Sequence, residues 1–236
     1  MNTGFYKDLD TNFEQALEMA EKELSHKDII AMLKSGNIPQ KQIAALMLDY
    51  ISDEKEAEIL VSNLTGCDGK IREAVALRIN RLLLENSEVA YCFTQAETFA
   101  DASIDINANI CRLVIDSVAI LSANSIFIEA YKKRILGFIS EAFEELDKFI
   151  FRDKKYVINK QLFKLYWALE SLKMFVQTLS YDELFPILDR SSQEREYTIR
   201  EKVAQILARI DKAGYESIIK RLETDENYYV RKAILA

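Results

Sequence analysis

Apolar residues recur along almost the whole chain with the spacing of one helix face. In residues 71–83 they fall at Ile71, Val75, Leu77, Ile79, Leu82 and Leu83. This is broadly i, i+4, i+8 and i+11, which lines one side of a helix with about 3.6 residues per turn. No segment alternates apolar and polar residues with period two, so the pattern predicts helices throughout and no strand. Breakers are few to match: there are two prolines, Pro39 and Pro186, and six glycines. An all-β chain, with its many turns, needs more of both.

The helical pattern itself repeats. Asp68-Gly-Lys-Ile71-Arg72-Glu73-Ala-Val75-Ala76 and Tyr197-Thr-Ile199-Arg200-Glu201-Lys-Val203-Ala204 share the string Ile-Arg-Glu-x-Val-Ala. A third copy reads Asp225-Glu-Asn-Tyr-Tyr-Val230-Arg231-Lys-Ala233-Ile234. Degenerate copies are Gln42-Ile43-Ala44-Ala45-Leu46 and Asp105-Ile106-Asn107-Ala108-Asn109-Ile110. Anchoring on residues 43, 71, 106, 199 and 230 gives steps of 28, 35, 93 and 31, the long step leaving room for a larger, irregular unit. Each anchor helix follows a second amphipathic segment. The expected organisation is a capping helix over 11–24 and helix pairs over about 26–52, 54–85, 87–122, 125–179, 181–211 and 214–236, in one domain.

The motif has a physical rationale. An aspartate at a helix start accepts a bond from an orphan backbone N–H, worth about 1 kcal/mol. The Val or Ile after it turns into the core between the paired helices. The neighbouring Arg is placed to reach the cap or loop carboxylate of the next repeat. Small residues (Ala45, Ala76, Ala108, Ala204 and Ala233) let neighbouring helices approach closely. A single helix pair buries too little apolar area to stand alone, so stacking supplies the core.

The pattern Asp-x-x-Val/Ile-Arg-x-x-Ala in the second helix of a pair resembles the HEAT repeat. The resemblance is carried by residues 68–83, 196–210 and 225–236, and is absent from 125–179. It implies an all-α fold, a right-handed α-α superhelix (solenoid) of about six helix pairs. It also implies a non-enzymatic scaffold that holds a protein or peptide partner on its concave face. Two related branches keep alternatives open: alkylpurine DNA glycosylases, which act on nucleic acid, and phycobilin lyases.

Charge narrows these classes. The net charge is −7, which argues against a general nucleic-acid binder. Residues 1–100 hold 10 Lys and Arg against 17 Asp and Glu, leaving 21 of each for the remainder, so the first part carries the whole negative balance. No apolar run approaches the ~18–20 residues of a membrane span. The three cysteines, Cys67, Cys92 and Cys111, have no paired spacing. A reducing, cytoplasmic setting is expected, with no disulfide framework and no membrane.

Catalytic or metal chemistry finds little support. His26, the single histidine, lies in Leu24-Ser25-His26-Lys27-Asp28, which reads as a helix start capped by Ser25. One histidine removes His-rich zinc sites, and no phosphate loop or dinucleotide motif is present. No cofactor is expected. The departure from the repeat is 148–167, where Lys148, Arg152, Lys154, Lys155, Lys160 and Lys164 interleave with Phe149, Phe151, Tyr156, Phe163, Tyr166 and Trp167. Bases between aromatics can hold phosphate and stack on nucleobases, and Lys132, Lys133 and Arg134 add charge nearby in sequence. The same residues also read as solvated lysines joining two long helices whose aromatics enter the core. Candidate binding residues are Arg152, Lys154, Lys155, Tyr156, Lys160 and Lys164. In the glycosylase alternative, Trp167 and Asp153 would take the central roles.

Overall fold

The computed structural model describes residues 14, 15, 18, 19, 21, 23–148 and 155–235, with the side chains of 155–157 outside that description. Half of the expected capping helix over 11–24 lies outside the described residues; of its span, 14, 15, 18 and 19 are helical. Among the described residues the chain is all-helical, with no strand. It divides into two compact units, Met1–Tyr131 and Lys132–Ala236.

In the first unit α1 (His26–Ser35) pairs with α2 (Ile38–Met47), and α3 (Glu54–Val61) precedes α4 (Gly69–Glu85). A 3-10 turn (Ser87–Cys92) and the short α5 (Ala96–Ala102) precede α6 (Ala108–Leu121). The 24-residue α7 (Ser125–Lys148) follows. The second unit continues with α8 (Lys155–Leu172), α9 (Tyr181–Ser191), α10 (Tyr197–Leu207), α11 (Glu216–Glu223) and α12 (Tyr228–Leu235). Second helices stack on second helices: α2 on α4 and α4 on α6 in the first unit, α8 on α10 and α10 on α12 in the second. Within each unit this is the side-by-side hairpin stacking of an α solenoid.

Hydrogen bonds between neighbouring hairpins carry the same period. Arg72 bonds Asp105 across 33 residues, Asn80 bonds Ser117 across 37, Lys202 bonds Glu170 across 32 and Arg221 bonds Asp189 across 32. Helix starts are set by short polar side chains. Ser25 accepts from the Asp28 amide, and Asn37 and Ser180 form reciprocal capping boxes with Gln40 and Glu183. Each such cap satisfies backbone donors that the helix cannot.

The turn entering the second helix recurs in four copies with one hydrogen-bond plan. Asp68, Asn107, Glu196 and Asn227 each accept from an amide at the start of the following helix. Three residues further on, Ile71, Ile110, Ile199 and Val230 are buried. One residue beyond that, a side chain reaches back to a loop carbonyl six residues earlier. Arg72 donates to the Gly66 carbonyl and Arg200 to that of Glu194, while Arg231 donates to the Asp225 carbonyl. In the remaining copy Cys111 holds the arginine position, and its Sγ donates to the Asp105 carbonyl at 3.1 Å.

This plan corrects the sequence register at two places. Ile106, taken as an anchor, is 77% exposed in the loop, and Ile110 is the buried equivalent at 0%. Asp225, placed as a cap, instead receives Arg200, and Asn227 caps α12. In both copies an Asp-x-Asn turn inserts two residues before the cap, with Asp105 accepting from the Asn107 amide and Asp225 from that of Asn227.

The motif arginines do reach the next repeat. Arg72 grips Asp105 through Nε and Nη2 at 2.6 and 3.3 Å, and Arg200 grips Asp225 at 2.6 and 3.0 Å. The fork of a guanidinium matches a carboxylate in this way. The apolar core lies between paired helices, with Val75 and Val203 fully enclosed. Phe99 meets Phe93 and Phe127 edge-on, and the enclosed Tyr131 hydroxyl bonds Ser103 Oγ at 2.7 Å.

Candidate binding face on α8, α10 and α12

The stacking of α8, α10 and α12 places a row of polar side chains on one surface of the second unit. Its centre is Lys202 of α10, only 7% exposed. A lysine this enclosed needs compensation. Its ammonium pairs with the Glu170 carboxylate, bonds Gln205 Oε1 at 3.2 Å and lies 4.6 Å from the centre of the Tyr166 ring. Lys173 takes the other Glu170 oxygen at 2.5 Å and reaches Gln205 at 3.3 Å. Two ammonium groups therefore share one carboxylate.

The electrostatics follow from that sharing. Burial alone would raise the Glu170 carboxyl, but the hydrogen bonds from Lys173 and Lys202 outweigh it and hold it below the usual carboxylate range. Burial pushes the Lys173 ammonium down, and repulsion from Lys202 and Arg209 works in the same direction against the attraction of Glu170. Burial also opposes the charge on Lys202, yet Glu170 and Tyr166 overcome it and its pKa is raised. The cluster thus contains more positive charge than it neutralises.

Beside it lies a depression of ≈ 450 Å³ between the end of α8, α10 and α12, rimmed by Lys173, Glu201, Arg209, Tyr229 and Lys232. Ala208 and Ala233 line it too, and their small side chains leave the space open. Tyr229 is 58% exposed and stacks on Tyr197 with ring centres 6.4 Å apart. Arg209 donates to the Lys173 carbonyl at 3.4 Å, which ties the rim to the end of α8. A second depression of ≈ 390 Å³ shares Arg209 and is lined by Leu179, Tyr181, Leu184 and Tyr215. There the Tyr181 hydroxyl donates to the Gly214 carbonyl. Gly214 has φ +88°, and a Cβ on it would meet Tyr181 at 3.0 Å, so the turn requires glycine on both counts.

Of the sequence-derived binding residues, only Lys160 and Lys164 have described side chains. Arg152 and Lys154 lie outside the described residues, and Lys155 and Tyr156 open α8 with side chains outside the description. Lys160 is exposed and Lys164 half-buried, four residues apart on α8. Lys164 precedes Tyr166 by two residues, which on a helix turns it almost to the opposite side, so it stands apart from the Tyr166–Glu170 surface. Trp167 is buried with Phe163 and Tyr166 edge-on against it, so its ring is not presented for stacking on a base. His26 starts α1 after its Ser25 cap. Its Nε2 bonds Glu56 at 2.9 Å and its ring stacks on Tyr50 at 4.1 Å. Cys67 is exposed, and Cys92 and Cys111 are buried. Among the described residues no cluster of His, Cys, Asp or Glu is arranged to hold a metal, and no helix is long and apolar enough to cross a membrane.

Sequence reasoning passed over the Lys202 cluster because its residues belong to different repeats. A usable signal was present: Glu170 and Lys202 have opposite charge and stand 32 residues apart, the spacing of Asp189 and Arg221.

No protein-family model and no curated protein matches this chain. Solved structures similar to it include two engineered proteins. One is 14% identical, with 90% of this chain and 94% of that one covered and a TM-score of 0.45. The other is 15% identical, with 90% and 96% covered and a TM-score of 0.48. A designed armadillo repeat protein is 13% identical over 89% of this chain and 97% of its own, with a TM-score of 0.43.

Proposed function

We propose that this protein is a non-enzymatic helical-repeat scaffold for a protein or peptide partner, and that the α8–α10–α12 face of the second unit is the surface that binds it. The observation that carries this reading is the pairing of an open depression, lined by Ala208 and Ala233, with Lys173 and Arg209 at its rim, each held in place by a hydrogen bond. A rigid, pre-formed surface loses less conformational entropy on binding than a mobile one. The exposed Tyr229 supplies an aromatic contact of the kind enriched at interfaces. A depression of ≈ 450 Å³ suits one or two side chains of an extended segment rather than a folded domain.

The test is site-specific photocrosslinking in the native cell. A benzoylphenylalanine replaces Tyr229 in one strain and Tyr91, 73% exposed in the first unit, in another. A discrete protein adduct from position 229 and none from position 91 supports the reading. Adducts from 91 alone, or nucleic acid as the adduct at 229, overturn it.

A further inference from the structure

We infer that the segment received by this face is acidic: a linear peptide whose Asp, Glu or terminal carboxylate sits in the depression between Lys173, Arg209 and Lys232. The inference rests on the proposed scaffold reading and specifies the chemistry of its partner. Charge complementarity carries it. The rim presents three cations, Lys173, Arg209 and Lys232, against one anion, Glu201. The adjoining Lys202 and Glu170 cancel one another, which leaves Lys173 to share a carboxylate that Lys202 already holds. A local positive excess on a chain of net charge −7 runs against the background of the molecule, and a carboxylate entering the depression would supply the missing counter-charge.

The lining fits the rest of such a ligand. Ala208 and Ala233 leave room for an apolar side chain next to the carboxylate, and the Tyr229 ring offers it a flat wall. A basic segment would instead meet three like charges. A flat nucleobase would find Tyr229 exposed, but nothing in the rim would discriminate it from a peptide aromatic, and Trp167 is buried.

Selection from a phage-displayed library of random linear peptides against the full chain tests the inference. Enriched peptides are then synthesised with a fluorescein label and titrated by fluorescence anisotropy. The expected consensus is rich in Asp and Glu beside a bulky apolar residue. Its affinity falls as salt is raised, because exposed charge pairs are screened beyond about 10 Å at 0.1 M. Lys232→Glu and Arg209→Glu should each weaken binding about tenfold, and Ala208→Trp, which fills the depression, should abolish it. All three positions are exposed, and thermal melts of the variants check that each folds. If Ala208→Trp does not fold, the two charge reversals decide. A basic or neutral consensus, or affinities unmoved by the charge reversals, overturns the acidic ligand while leaving the scaffold reading standing. A library that yields no peptide overturns both.

Discussion

Replacing Arg200 by alanine probes the tie between neighbouring repeats where it is most completely formed. Arg200 is 8% exposed and its guanidinium makes four hydrogen bonds: two to Asp225, at 2.6 and 3.0 Å, and one each to the carbonyls of Glu194 and Arg195, at 2.7 and 2.8 Å. Asp225 is itself enclosed, its side chain 6% exposed. Breaking a buried ion pair from one side costs about 3–5 kcal/mol, mostly because the remaining charge is stranded. Here the stranded carboxylate keeps the Asn227 amide, and Arg231 stays beside its main chain, so the loss should be smaller, about 2–3 kcal/mol. Urea unfolding followed by circular dichroism measures it. The double variant Arg200→Ala/Asp225→Ala should lose less than the sum of the single losses, by about 1–2 kcal/mol. The acid limb gives a second readout. Burial would raise the Asp225 carboxyl, but the Arg200 hydrogen bonds outweigh it and hold it below its ordinary value of 3.8. A depressed carboxyl contributes stability that is present above the unfolded value and is lost as pH falls through the folded one. The gap between the native protein and Arg200→Ala should therefore narrow only below a pH of about 4. A loss under about 0.5 kcal/mol for Arg200→Ala, or strict additivity with Asp225→Ala, would refute the buried-tie reasoning.

Other outcomes follow from burial and chemistry. Val75→Asp and Val203→Asp each put a charge into a fully enclosed site, so both should lose more than about 4 kcal/mol; normal melting curves would show the helix faces to be wrong. Of the three thiols, Cys67 should react with a disulfide reagent in the native protein, and Cys92 and Cys111 only after denaturation. Burial, reinforced by Asp105, pushes the Cys111 thiol up to about 12, which keeps it from forming the reactive thiolate; three fast equivalents in native buffer would contradict this. Tyr131→Phe removes the enclosed hydroxyl that bonds Ser103 and should cost about 1–2 kcal/mol in a urea titration.

Much of the helical architecture is legible in the sequence because it rests on spacing. The period that puts Val75 and Val203 inward also makes the segments helical, and the Ile-Arg strings mark where second helices begin. The partners of Arg72 and Arg200 are foreseeable in kind, since a buried guanidinium needs a carboxylate and the next loop offers one. What escaped has identifiable causes. Ile106 looked like an anchor because it follows an aspartate, but Asp105 caps a turn rather than the helix, and the added turn moves the buried position to Ile110. Cys111 standing in for an arginine is invisible to a pattern that searches by charge. The Lys202 cluster joins α8 and its end to α10, and no single segment contains it. The basic run ending at Lys164 drew attention because its bases interleave with aromatics, and that pattern does not say which side of a helix each lysine takes.

The tie that joins one hairpin to the next has a consequence for how such a chain can change over generations. Arg72 finds Asp105 at a distance of 33 residues, and Lys202 finds Glu170 at 32. Because the donor and acceptor of each tie come from adjacent hairpins, one hairpin's acceptor is always offered at the edge where its neighbour's donor arrives. Duplicating a stretch of that length within a unit would bring a donor and an acceptor already cut to fit. The Arg200–Asp225 tie makes the same grip across 25 residues, so an inherited hairpin has to reproduce the meeting of the two loops and not one fixed residue count.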